Sequence, residues 1–141
     1  MRHKILIVDD EENVRFVLKE AFLSTYQVFT ASEGLSAVEI IKKERPTLVF
    51  LDMKMPGLSG LEVLQLVKET GLAPVIWILT GEEELDIALK TLKLGASGYL
   101  TKPFDIEKIR DIVTNAILGA EQKEHHDTQG DKPWRVIKKK S

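Results

Sequence analysis

The sequence contains no cysteine. Disulfides, thiolate nucleophiles and zinc–thiolate centres are therefore excluded, and the chain suits a reducing compartment. Nor does any apolar run approach the roughly 20 residues of a membrane-spanning helix. The first such run, Ile5 to Val8, is too short for a signal-peptide core and has no small-residue cleavage site after it. A cytoplasmic location without membrane insertion is the expectation. A strong excess of one charge is also missing: the formal net charge is −2, so the chain as a whole does not attract nucleic acid, and no direct nucleic-acid binding is expected. No DNA-binding or ATPase motif is present.

What is there is the balance of a soluble globular protein. Of 141 residues, 43% are hydrophobic and 30% charged, enough for one domain with a buried core and a tail. Residues 1–120 hold 18 acids and 14 bases, whereas 121–141 hold 4 acids and 6 bases. This change of sign, together with the polar stretch 121–133, predicts a domain over 1–120. Residues 121–141 are then a flexible, charged linker or C-terminal tail.

Short apolar runs alternate with longer amphipathic segments. Runs at 5–8, 27–31, 48–51, 75–79 and 97–100 read as strands. Segments 11–24, 33–44, 60–70, 82–94 and 105–119 read as helices. The first helix carries Val14, Val17, Leu18, Ala21 and Phe22 at helical spacing, and the second Leu35, Val38 and Ile41. Pro46 and Gly71 stop helices, and Met55-Pro56-Gly57-Leu58-Ser59-Gly60 is a loop. Acids Glu82, Glu83, Glu84 and Asp86 suit a helix N-terminus. Five strand–helix units predict a doubly wound α/β fold: a five-stranded parallel sheet with helices on both faces, flavodoxin-like in class. Such sheets bind ligands beyond the carboxyl ends of their strands.

Chemistry-bearing residues stand at those ends. Asp9 and Asp10 follow the first strand, Asp52 the third, Thr80 the fourth and Lys102 the fifth. Three gathered carboxylates, each with an ordinary pKa of about 4, repel one another unless a cation relieves them. With oxygen ligands only, Mg²⁺ or Mn²⁺ fits better than zinc or copper. Lys102 can pair with Asp52 or a phosphoryl oxygen, and Thr80 can donate to another. An oxygen nucleophile, a metal and donors for the equatorial oxygens are what phosphoryl transfer requires.

Four separated motifs, Lys4-Ile5-Leu6-Ile7-Val8-Asp9-Asp10, Leu51-Asp52-Met53-Lys54-Met55-Pro56-Gly57, Leu79-Thr80-Gly81 and Lys102-Pro103-Phe104, resemble the response-regulator receiver domain over residues 3–120. The pattern is most similar to sporulation-type phosphorelay receivers and to receivers heading enhancer-binding activators. The resemblance implies a two-component signalling protein whose Asp52 takes phosphate from a histidine kinase or histidine phosphotransferase. It catalyses its own phosphorylation and dephosphorylation and controls a downstream effector or output domain. Asp10, Asp52 and the Lys54 carbonyl would bind Mg²⁺, with Asp9 acting mainly through a water. Thr80 and Tyr99 would form the switch, Lys102 would contact the phosphoryl group, and the Lys102–Pro103 bond would be cis. Lys54 and Glu82 occupy lifetime-tuning positions; if their opposite charges pair and slow water access, Glu82→Ala should change the autodephosphorylation rate. Val14, Val17, Leu18, Pro103 and Phe104 are kinase-docking candidates, and a phosphorylation-dependent dimer is a further expectation. Many members carry Ala where Gly81 stands.

Plainer readings exist for each feature. Asp9-Asp10-Glu11 could be only a helix cap, Thr80 a cap for the fourth helix, and Tyr99 an amphipathic edge residue. Neighbouring His125 and His126 could bind metal or exchange phosphate, but their polar flanks fit a solvated linker. Lys138-Lys139-Lys140, after Trp134-Arg135-Val136-Ile137, reads as a tail or the stump of a further domain. Two rivals share parts of the chemistry. A haloacid-dehalogenase-like phosphatase also uses an aspartate nucleophile, but in a spaced Asp-x-Asp at its first strand. A non-phosphorylated pseudo-receiver would lack an acid, Asp52 or Lys102, and none is lacking.

Overall fold

The computed structural model describes residues 2–81 and 84–129, the side chains of 124–129 excepted. Five parallel strands, β1 (Lys4–Val8), β2 (Gln27–Ala31), β3 (Leu48–Asp52), β4 (Val75–Thr80) and β5 (Gly98–Thr101), form one sheet in the order β2-β1-β3-β4-β5. Helices α1 (Glu12–Phe22), α2 (Gly34–Glu44), α3 (Gly60–Glu69), α4 (Leu85–Lys93) and α5 (Ile106–Gln129) connect and follow the strands. The order reverses between β1 and β3, the place where a doubly wound sheet opens a crevice.

The strands bury both faces because their side chains alternate. Leu6, Val8, Val49, Leu51, Ile76 and Ile78 face α2 and α3, meeting Ala37, Val38, Ile41, Val63, Leu64 and Val67. Ile5, Ile7, Leu48, Phe50 and Leu79 face α1 and α5, meeting Leu18, Phe22, Ile109, Val113 and Ile117. This is why the sequence shows continuous apolar runs rather than alternation. Register then sets the rim: Val8 lies opposite Leu51 and Asp52 opposite Leu79. Backbone bonds continue past the strand ends, from Asp9 N to Ala31 O at 3.1 Å, Met53 N to Leu79 O at 3.1 Å and Lys102 N to Thr80 O at 2.8 Å.

Two details depart from the sequence-based expectation. Helix α5 runs beyond 119 to Gln129, so the first part of the expected linker is helical. Leu35, expected on the apolar face of α2, is exposed; the helix meets the sheet through Ala37, Val38 and Ile41 instead. Helix α4 is described from Leu85; Glu82 and Glu83 lie outside the described residues, as do Trp134 to Ile137 and the three lysines after them. His125 and His126 fall within α5, but their side chains are not among those described. Among the described residues no helix is long and apolar enough to cross a membrane.

Candidate functional site

The strand ends bring Asp9, Asp10, Asp52, Thr80 and Lys102 to one rim, from elements far apart in sequence. Asp9 and Thr80 are fully buried, Asp52 nearly so, and Asp10 is exposed. Carboxylate oxygens of Asp9, Asp10 and Asp52 lie within 4.8 Å of one another. Asp9 Oδ1 accepts a bond from Glu11 N at 2.9 Å, and the Arg15 guanidinium donates to the Asp9 carbonyl at 2.8 Å. Asp9 thus steadies the start of α1, whose N-cap residue Glu11 makes no capping bond of its own. The helix-cap reading of this acidic run does not hold, since Asp9 bonds the N–H of the N-cap residue itself and no side chain caps the first turn.

Lys102 supplies the positive charge that lets these acids share the rim. Its Nζ lies 2.8 Å from Asp9 Oδ2, 3.4 Å from Glu11 Oε1 and 3.7 Å from Asp52 Oδ1. Burial works against the ammonium, but the hydrogen bond and charge of Asp9, with Asp52 and Glu11, outweigh it and hold the Lys102 pKa above its ordinary value. For Asp52 the balance goes the other way. Desolvation first, then the Asp9 charge, push its pKa from 3.8 to about 7 against the pull of Lys102 and the Lys54 N–H. The peptide bond from Lys102 to Pro103 is cis.

The donor set fits a hard divalent cation. All three acids offer oxygen, and their carboxylate oxygens lie close enough together for one ion to touch all three. Repulsion among them is only partly offset by Lys102, since the Asp52 pKa remains raised, and a hard cation would relieve it. Gly60 lets the start of α3 lie against the backbone that follows Asp52. A Cβ there would stand 3.0 Å from Met53 Cα and Sδ and 3.1 Å from Asp52 O.

Thr80 Oγ1 donates to the Gly81 carbonyl at 3.1 Å. It does not cap α4, whose N-cap residue is Glu84. Tyr99, on edge strand β5, is half-buried against the core on the α2–α3 face. Lys54 Nζ pairs with Glu84 Oε2 at 3.1 Å; Glu82, the partner expected from the sequence, lies outside the described residues.

The docking candidates separate. Val14, Val17, Pro103 and Phe104 line one groove of about 470 Å³, together with Lys102 and Glu11. Leu18 does not belong with them: it is fully buried against the sheet. Helical spacing marks a face without saying which edge of it the sheet covers, and Leu18 lies at the centre. Phe16, unremarked in the sequence, is 63% exposed; its place off the Val14–Leu18–Phe22 stripe was the available signal.

Comparison with known proteins agrees with this geometry. Residues 5–114 match the family model of the response regulator receiver domain. Sporulation initiation phosphotransferase F of Bacillus subtilis is 46% identical over 114 residues, which are 80% of this chain and 92% of that protein. Regulatory protein AtoC of Escherichia coli is 33% identical over 116 residues, 82% of this chain but only 25% of AtoC. Among solved structures, a response regulator receiver domain protein from Clostridium thermocellum superposes with a TM-score of 0.78 at 32% identity, covering 85% of this chain and 98% of that one. NtrX from Brucella abortus gives a TM-score of 0.82 at 26% identity, covering 92% of this chain and 30% of NtrX.

Proposed function

The chain belongs to the response regulator receiver family of two-component signalling, and on that premise we propose that Asp52 is its phosphoryl acceptor. The observation that carries this reading is the convergence on one rim of three carboxylates, Lys102 and Thr80. An Asp52 oxygen attacks the phosphorus of a phosphohistidine donor. The P–N bond breaks with its electron pair leaving on the imidazole, and an acyl phosphate forms. Water later attacks the phosphorus, releasing inorganic phosphate and restoring Asp52.

Asp9, Asp10, Asp52 and the Lys54 carbonyl would hold Mg²⁺, with Mn²⁺ an alternative. The ion would supply charge neutralisation for the acids and the incoming phosphoryl oxygens. Lys102 exchanges its carboxylate partners for a phosphoryl oxygen, and the Thr80 hydroxyl turns from Gly81 to a second one. That rotation frees room for Tyr99 to move inward, altering the surface of α4, β5 and α5. Lys54 and Glu82 stand where phosphate lifetime is tuned in this family.

Residues 1–120 form the receiver. Receivers pair with histidine kinases or phosphotransferases and with output domains, and we assign the groove of Val14, Val17, Pro103 and Phe104 to the phosphodonor. AtoC and NtrX extend far beyond the region this chain matches, so a downstream effector or an attached output domain receives the signal. Pairing of two copies on phosphorylation belongs to the same reading, as does a cytoplasmic setting. Neither rival gains support: the match is to receivers, not haloacid-dehalogenase-like phosphatases, and a pseudo-receiver has no need of the full acid, threonine and lysine set.

Incubation with acetyl phosphate and Mg²⁺ tests the assignment. The chain should gain the mass of one phosphoryl group, only with the metal, and Asp52→Ala should not. An Mg²⁺-dependent gain that survives the substitution would overturn it.

A further inference from the structure

Two loops of the rim are tied together beside Asp52. Lys54, two residues after Asp52, reaches across to Glu84, with Nζ 3.1 Å from Oε2. The partners are unlike: the Lys54 side chain is 74% exposed and that of Glu84 11%. A nearly buried carboxylate gains more from a cation than an open one does, so Glu84 depends on this contact. Glu84 also closes the turn that leads into α4, its N–H donating to the Gly81 carbonyl at 3.0 Å. That same carbonyl accepts the Thr80 hydroxyl at 3.1 Å. The Lys54 N–H, in turn, faces Asp52 Oδ1 at 3.4 Å. A continuous circuit therefore runs from Asp52 through Lys54 and Glu84 to Gly81 and Thr80.

We propose that the Lys54–Glu84 ion pair is a latch that holds the start of α4 in its unphosphorylated arrangement, with Glu84 as the positioning residue. The inference rests on the reading of Asp52 as phosphoryl acceptor. Phosphorylation brings about −1.5 to −2 charges to the loop that carries Lys54. This charge competes with Glu84 for the Lys54 ammonium. The Thr80 hydroxyl, drawn to the phosphoryl oxygens, leaves the Gly81 carbonyl at the same time. Both ends of the Gly81–Glu84 turn then lose a partner together, and the first turn of α4 loosens. The sidedness matters: Lys54 can follow the new charge because it is exposed, whereas Glu84 is fixed by its turn.

Hydrogen–deuterium exchange of the α4 amides from Leu85 to Leu89 reads the latch. In metal-free, unphosphorylated protein, Glu84→Gln and Lys54→Gln should each speed exchange there about two- to fivefold, the range of one partly exposed ion pair. The wild type should reach that rate only with beryllofluoride and Mg²⁺, and Glu84→Gln should then show little further rise. Reversing both charges, Lys54→Glu with Glu84→Lys, should restore slow exchange, which a merely structural loss of Glu84 would not allow. Wild-type exchange in both single variants before activation, or no recovery in the reversed pair, would overturn the latch. Fluorine NMR of the same samples reads beryllofluoride binding directly: no Asp52-dependent bound signal would overturn the phosphoacceptor reading and the latch with it, whereas a bound signal without faster α4 exchange in the wild type would overturn the latch alone.

Discussion

Asp52 faces opposing demands. As the proposed phosphoryl acceptor it must be a carboxylate, yet burial and its neighbour Asp9 push its pKa from 3.8 to about 7. The folded chain therefore keeps the Asp52 proton over a pH range in which the unfolded chain has lost it. As pH rises from about 4 to about 7 in metal-free buffer, this residue lowers stability. Asp52→Asn cannot titrate, so its stability relative to wild type should climb across that window and level off above it. Urea unfolding of both proteins at a series of pH values measures the difference, and Mg²⁺ should shrink it by stabilising the wild-type carboxylate. A difference that stays flat with pH would show that Asp52 carries no such burden. Asp9 and Lys102 were visible in the sequence as residues after strands. That Lys102 would lie nearer Asp9 than Asp52 was not, because the distances follow from side-chain placement across β1, β3 and β5.

Among the elements, α3 has the most local specification. Ser59 accepts from Glu62 N at 3.2 Å while Glu62 Oε1 accepts from Ser59 N at 2.8 Å, a reciprocal capping box. Ser59→Ala should cost about 1 kcal/mol of stability, seen as a lower urea midpoint at unchanged slope. An unchanged midpoint would mean that the cap is redundant with packing of Val63, Leu64 and Val67. The end of α5 shows the converse. Periodicity suggested a stop at 119, since the apolar stripe ends with Ile117. The helix continues through Gly119, where open space surrounds the missing side chain, into Glu121, Gln122 and Lys123. One glycine costs a helix only about 1 kcal/mol relative to alanine, and the residues beyond it are good helix formers. A stripe ends where the sheet ends, which is not where the helix must.

At the scale of the whole molecule, stability rests on a sheet packed on both faces. Phe50, fully buried in β3 with the cluster of α1 and α5, should cost about 3–5 kcal/mol on replacement by alanine; calorimetric or urea unfolding checks this, and a loss below 1 kcal/mol would contradict the packing. The sequence by itself determined the five strand–helix units and the parallel sheet, because strands buried on two faces must be apolar throughout. It also placed the acids, the threonine and the lysine at strand ends, since hydrophobic runs stop where the chain leaves the core. Only the tertiary structure decided the strand order, which follows from pairing between segments distant in the chain. Burial of Leu18 beside exposed Val17, and the contact between Lys54 and Glu84, were likewise decided there. Each depends on where two elements lie relative to one another, and a one-dimensional pattern holds no such distance.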